Sequence, residues 1–181
     1  MARVAHLAPE EMTPQQRKLH DEIAAVRGGA VGGPFAIWLR TPAIADNANR
    51  LGNALRLDGT LDRRLFELAV LVVARHWSAQ YEWHVHAEAA ATAGLSPELI
   101  ESIRTRSTPS FSRPEEAIVH AVSWELLQSQ TLSTETYSKA VEVLGLDQVI
   151  ELVTVLGFYT TAALMLNAFE VAVPGGGKPL A

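Results

Sequence analysis

The sequence predicts an all-α fold, a bundle of about eight helices. Leu, Ala, Val and Glu dominate, and the apolar/polar alternation of strands is scarce. Apolar residues recur instead at helical spacing, and hydroxyl-plus-proline pairs at Thr13-Pro14, Thr41-Pro42 and Ser96-Pro97 mark helix starts. A chain of 181 residues suits one domain whose apolar core needs no disulfide or metal to hold it.

The first helix starts at Thr13-Pro14, carries Leu19, Ile23 and Val26 inward, and stops at Gly28-Gly29. Gly32, Gly33 and Pro34 then bend the chain so that Phe35, Ile37 and Trp38 tuck inward. We read this segment as a bend and not a ligand cradle, since no Gly-Lys-Ser/Thr follows it. A second helix carries Ile44, Ala48, Leu51 and Leu55 to Asp58-Gly59. Asp62 caps a third through Leu65, Leu68, Val72 and Trp77, apolar on nearly every side and so expected at the centre. Ser78 is the expected cap of a fourth helix, from Ala79 to Ala93, closed by Gly94. Ser96 caps a fifth that ends near Arg106, and Ser107 to Ser112 form a loop. A sixth helix spans Arg113 to Gln128. Ser133 caps a seventh that stops at Gly145, and the last runs from Asp147 to about Val171. Residues 1–173 make the domain, and residues 174–181, rich in Gly and Pro, are expected to be a flexible tail without core-forming residues. Glu67-Leu68 and Glu151-Leu152, each opening an apolar helix, give a faint internal echo.

Composition excludes several functions. A net charge of −5 with no basic cluster argues against nucleic acid. Absence of cysteine removes disulfides, thiolate nucleophiles and thiolate metal sites together. The N-terminus has no apolar signal region. The longest apolar run, Leu152 to Leu166, is about 15 residues, short of the roughly 20 that span a bilayer. The expectation is a cytoplasmic protein with no membrane partner.

Chemistry concentrates between Glu67 and His86, ELAVLVVARHWSAQYEWHVH. On a helix Glu82 and His86 are neighbours at i, i+4, whereas His84 points nearly opposite His86. A carboxylate beside an imidazole either prepares an acid–base pair or forms a plain surface ion pair. Tyr81, Trp83 and Trp77 surround it with aromatic area, and a cap at Ser78 would set Glu82 near a helix N-terminus that favours its ionised form. Glu67 in the apolar third helix is either paired with Arg63 or Arg64 at the surface or part of a pocket. Arg75 either binds a substrate carboxylate or makes a rim salt bridge. Glu67, Glu82 and His86 lack the second histidine and paired Glu-x-x-His repeats of a carboxylate-bridged centre, so no metal is expected. His6, His20, His76 and His120 are dispersed. Trp124, Phe158, Tyr159 and Met165 read as core, with the Tyr159 hydroxyl placed to reach a cavity.

These residues carry a resemblance. Glu67-Leu-Ala-Val-Leu-Val-Val-Ala-Arg, Tyr81-Glu-Trp-His-Val-His86 and the following Ala-Gly-Leu-Ser-Pro-Glu resemble the carboxymuconolactone decarboxylase family of the alkylhydroperoxidase D-like superfamily, over roughly residues 33 to 173. The resemblance implies an all-helical fold assembled as a homotrimer or homohexamer. It also sets Glu67, Tyr81 and His86 at the superfamily's catalytic positions, and Ala79 and Glu82 where redox members have their two cysteines. Without sulfur, thiol peroxidase chemistry is not expected. The decarboxylase branch needs no thiol and no cofactor. Loss of carbon dioxide from a carboxylated unsaturated lactone leaves electrons that delocalise into the carbonyl, and a proton must be delivered. The implied acid–base residues are His86, Glu82, Glu67 and Tyr81. Arg75, Trp83, Trp38, Phe35 and Tyr159 are the expected substrate contacts, and the partner is a small carboxylate or lactone. A ligand-binding or scaffold protein of the same fold, and a hydratase or isomerase using the same groups, are the other readings.

Overall fold

The computed structural model describes residues 2–180, and among them every regular element is helical. Nine α-helices follow in order: α1 (Pro14–Val26), α2 (Pro34–Trp38), α3 (Pro42–Asn53), α4 (Arg63–His76), α5 (Gln80–Thr92), α6 (Pro97–Thr105), α7 (Pro114–Ser129), α8 (Thr134–Leu144) and α9 (Leu146–Ala168). The extra helix is α2, the segment expected only to tuck inward. Phe35, Ile37 and Trp38 are indeed buried there.

Local chemistry explains most boundaries. Thr13 and Gln16 exchange hydrogen bonds in a capping box, and the Asp62, Ser96 and Ser133 side chains accept from the first turns of α4, α6 and α8. Thr41 does not cap α3; its hydroxyl donates back to the Trp38 carbonyl at 3.0 Å. Ser78 does not cap α5 either. It sits at φ +50° as the left-handed residue closing α4, with Ser78 N–H on Arg75 O (3.2 Å) and Ala79 N–H on Ala74 O (2.8 Å), the paired bonds of a Schellman ending. The junction is too short for Ser78 to serve both helices, and Ala79 becomes the bare N-cap of α5.

Helix α4 is the centre, as its all-round apolarity predicts. Every residue from Arg64 to Ala74 is buried, and α5, α7 and α9 pack around it. Helix α9, 23 residues long, has the length and apolarity of a membrane span, more than the run expected from the sequence. One face of it is core: Leu152, Val155 and Ala163 are fully buried. The Gly/Pro-rich tail contributes more than expected, for Leu180 joins the core and its N–H donates to Gln80 at 2.9 Å.

The Glu67/Glu151 echo marks two side chains with structural duties. The Glu151 carboxylate on α9 accepts from the Thr60 N–H at 2.8 Å, the Thr60 hydroxyl at 3.0 Å and the Leu61 N–H at 3.2 Å, tethering the approach to α4. Glu151→Ala strands these donors and is expected to cost about 1–3 kcal/mol in urea unfolding.

Candidate functional site

Helices α4 and α5 run from one tight turn, and this sets Glu67 beside His86. Glu67 is fully buried, and its Oε2 lies 2.7 Å from His86 Nδ1. Its Oε1 lies 2.5 Å from the Arg63 guanidinium, one helical turn back on α4. An ionised carboxylate can only accept, so Nδ1 carries the proton and donates, leaving Nε2 as the ring nitrogen free to exchange protons. The Tyr159 ring stands edge-on to the imidazole at 5.0 Å and locks its plane. Arg63–Glu67–His86 is therefore a relay fixed across two helices. It unites both sequence readings of Glu67, which is paired with Arg63 and also belongs to a pocket.

That relay borders a cavity of about 470 Å³, whose lining also includes Tyr81, Glu82, Phe35 and Tyr159. Glu82 is 3% exposed, and its Oε2 has no hydrogen-bond partner. Burial raises its carboxyl well above the ordinary 4.5. The expected help from a helix N-terminus, about 0.3–1 kcal/mol at best, is outweighed by desolvation. Burial thus favours the protonated form of Glu82, and its carboxyl makes no hydrogen bond to His86. The partner of the imidazole is Glu67 from the neighbouring helix. His84 is exposed and outside the cavity, as helix phase predicts.

The raised value has a stability consequence. The folded chain holds a proton on Glu82 that the unfolded chain releases above about 4.5, so this contribution is full below that pH and is lost as pH climbs toward the folded-state value. Glu82→Gln should therefore unfold at higher urea than the parent at about pH 8 and coincide with it near pH 4.

Sequence reasoning missed the cavity's cations. Arg27 from the end of α1 and Arg56 line it together with Arg63. Arg56 stands in Ala54–Asp58, a π-helical turn that continues α3 and widens the helix there. Arg27 lies 4.0 Å over the Phe35 ring, yet its Nε and Nη2, and Nε of Arg56, are buried without hydrogen-bond partners. Burial, and then the nearby Arg56 charge, lowers the Arg27 pKa. Two uncompensated guanidiniums facing one cavity create a strong demand for an anion. The only local signal in the sequence was Arg56 set between Leu55 and Leu57; the convergence itself is long-range.

The glycine loop also walls the cavity, contrary to its reading as a bend alone. Gly33 has φ +57°, and a Cβ there would stand 2.9 Å from Tyr81 Cε1, so only glycine lets the Tyr81 ring close over the loop. Burial raises the Tyr81 pKa, and the Gly33 backbone hydrogen bond opposes it. Burial also pushes the Tyr159 phenol up.

Three expected substrate contacts lie elsewhere. Arg75 donates to Arg104 O at 2.7 Å, near the end of α6, because it emerges at the far end of α4 from Arg63. Trp83 is sequestered in the central core. Trp38 packs against Phe35 at 5.1 Å and Phe158 at 6.2 Å, and lines the groove between α3 and α9. Among the described residues no three His, Asp or Glu side chains gather to hold a metal ion.

Comparison with known proteins adds to this geometry. Residues 42–124 match the carboxymuconolactone decarboxylase family. No curated protein matches the chain. Among solved structures, an uncharacterized peroxidase-related protein from Silicibacter sp. TM1040 superposes with a TM-score of 0.76 at 15% identity, over 94% of this chain and 90% of that one. An uncharacterized peroxidase-related protein from Ralstonia eutropha JMP134, described as an alkylhydroperoxidase AhpD core, superposes with a TM-score of 0.78 at 14% identity, over 99% and 94%. At such identities the likeness establishes the fold. The all-helical fold of this cysteine-free chain is therefore that of these solved structures, and its residues 42–124 are similar to the carboxymuconolactone decarboxylase family.

Proposed function

We propose that the protein is a decarboxylase-type lyase acting on a small carboxylated lactone or a related enolisable acid, without a cofactor or metal. The supporting observation is one cavity that joins an oriented His86, a buried Glu82 with an unpartnered oxygen and the unpaired guanidiniums of Arg27 and Arg56.

Each group has a role in the reaction. Arg27 and Arg56 hold the substrate's acid function through charge-assisted hydrogen bonds. As the scissile C–C bond breaks, carbon dioxide departs and the bond's electron pair passes through the conjugated double bond to the lactone carbonyl. Glu82, whose protonated form burial favours, donates a hydrogen bond through that proton to the oxygen that gains charge. His86 takes up one proton from solvent at Nε2 and delivers it to the carbon that has lost carbon dioxide, with Glu67 fixing the ring and Arg63 fixing Glu67. Tyr81 closes the mouth against the Gly32–Gly33 loop. Burial of Glu67, Glu82 and His86 strengthens their interactions over what water would allow.

The test is ultraviolet spectroscopy of the purified protein with 4-carboxymuconolactone. Turnover above the uncatalysed rate supports the reading. Thermal stabilisation by the lactone with no turnover would replace it with a ligand-binding role.

The same reading makes the protein a cytoplasmic homotrimer or homohexamer. Ile44 and Leu51 on α3, with Leu146, Ile150 and Val153 on α9, are exposed large apolar residues that support self-association. Light scattering should give a mass of three or six chains; a single-chain mass would sink that part.

A further inference from the structure

Arg75 lines a second cavity, of about 260 Å³, between the C-terminal ends of α4 and α6, the loop after α6, and α7. Val72, Ile103 and Pro109 form its apolar surface, and Arg75, Arg106 and Trp124 are the features that give it character. No Asp or Glu lines it.

The two arginines are only partly used by the fold. Arg75 Nε donates to Arg104 O at 2.7 Å and Nη1 to Ser78 Oγ at 3.2 Å, while Arg106 Nη2 donates to Arg75 O at 3.3 Å. These bonds close helix ends, where the backbone supplies about half a negative charge. Each guanidinium has five N–H donors, so both keep donors to spare. Burial, and then the neighbouring Arg106 and Arg104 charges, lowers the Arg75 pKa.

The wall opposite is aromatic. The Trp124 indole lies parallel to the His120 imidazole, 6.2 Å apart with planes 10° off, and Phe111 approaches His120 at 5.2 Å. Trp124 is nevertheless 48% exposed. A stack that ends in a half-open indole offers a planar face to one further ring. The volume is below the roughly 300–1,000 Å³ of sites for drug-sized ligands, and so fits a single-ring molecule.

We propose that this cavity is a second binding site, for a small planar aromatic carboxylate, with the acid group on Arg75 and Arg106 and the ring against Trp124. Inorganic phosphate would use the guanidiniums but leave the indole and apolar surface uncovered. The site is independent of the acid–base cavity, which has no tryptophan in its lining.

That difference supplies the test, a tryptophan-fluorescence titration of the full chain with benzoate. Benzamide, cyclohexanecarboxylate and inorganic phosphate serve as neutral, non-planar and small-anion probes. Benzoate should give a saturable change that disappears in Trp124→Leu and weakens about tenfold or more in Arg106→Asn. Arg106 sits at φ +57°, a conformation asparagine tolerates, so that variant keeps the helix end. Arg56→Ala should leave the benzoate signal in place. The proposal is overturned if benzoate gives no Trp124-dependent signal, if Arg106→Asn binds like the parent, or if Arg56→Ala abolishes the change. It is also overturned if any of the other probes binds as tightly as benzoate.

Discussion

His86→Ala should lower kcat on a carboxylated lactone by about 10²- to 10⁴-fold, the usual contribution of a positioned proton-transfer group. The loss should fall on kcat and leave KM close to the parent value, because the imidazole meets the substrate at the reacting carbon while Arg27 and Arg56 hold its acid function. Arg27→Ala and Arg56→Ala should show the reverse split, with KM rising more than kcat falls. Glu67→Gln is the sharper control: it keeps the side chain's volume and an oxygen near Nδ1 but removes the charge between Arg63 and His86. Its kcat should drop with little change in KM, and far-UV circular dichroism should remain that of the parent. Parent-level turnover in His86→Ala would take the proton-transfer role from this residue even if the activity is real.

The helices were legible because their signals are local. A cap residue, a proline after it and apolar spacing lie within a few positions of each other, and α4 declared its central place by being apolar on nearly every side over Leu65 to Ala74, Glu67 apart. The site was legible only where phase along one helix decided it, as in the separation of His84 from His86. The partner of His86 was not, because Glu67 reaches it across a turn whose geometry depends on Ser78 adopting a left-handed conformation. Serine before a helix ordinarily signals a cap, and here that preference lost to the tight α4–α5 connection. Arg75 shows the opposite failure. Its place two turns beyond Glu67 on the same helix suggested a shared pocket, but twelve positions of helix separate it from Arg63, and the two arginines leave α4 at different ends. Arg27 and Arg56 stand on separate segments, with one charge between two leucines as the sole local signal, and only the packed bundle shows that their charges converge.

The largest stability loss is expected at a second buried charge pair, Arg64 with Glu116. Arg64 donates through Nη1 to Glu116 Oε1, with side chains only 9% and 3% exposed. The pair is not symmetrical. The other Glu116 oxygen accepts from the Ser112 N–H and hydroxyl, both at 3.0 Å, and from the Arg113 N–H at 3.3 Å, so one carboxylate closes the start of α7 and also pins it to α4. Glu116→Leu leaves the buried Arg64 guanidinium with only the exposed Asp62 carboxylate, 3.8 Å from its Nε, and three donors unpaired, and should cost about 3–5 kcal/mol. Arg64→Met preserves the long aliphatic stem and leaves a carboxylate that still has its three α7 donors, so its cost should be clearly smaller. Removal of the acid must therefore hurt more than removal of the base. Urea unfolding of the two variants measures the ordering directly, and equal midpoints would mean that the Arg64 contact alone, without the Ser112 and Arg113 donors, sets the worth of the pair.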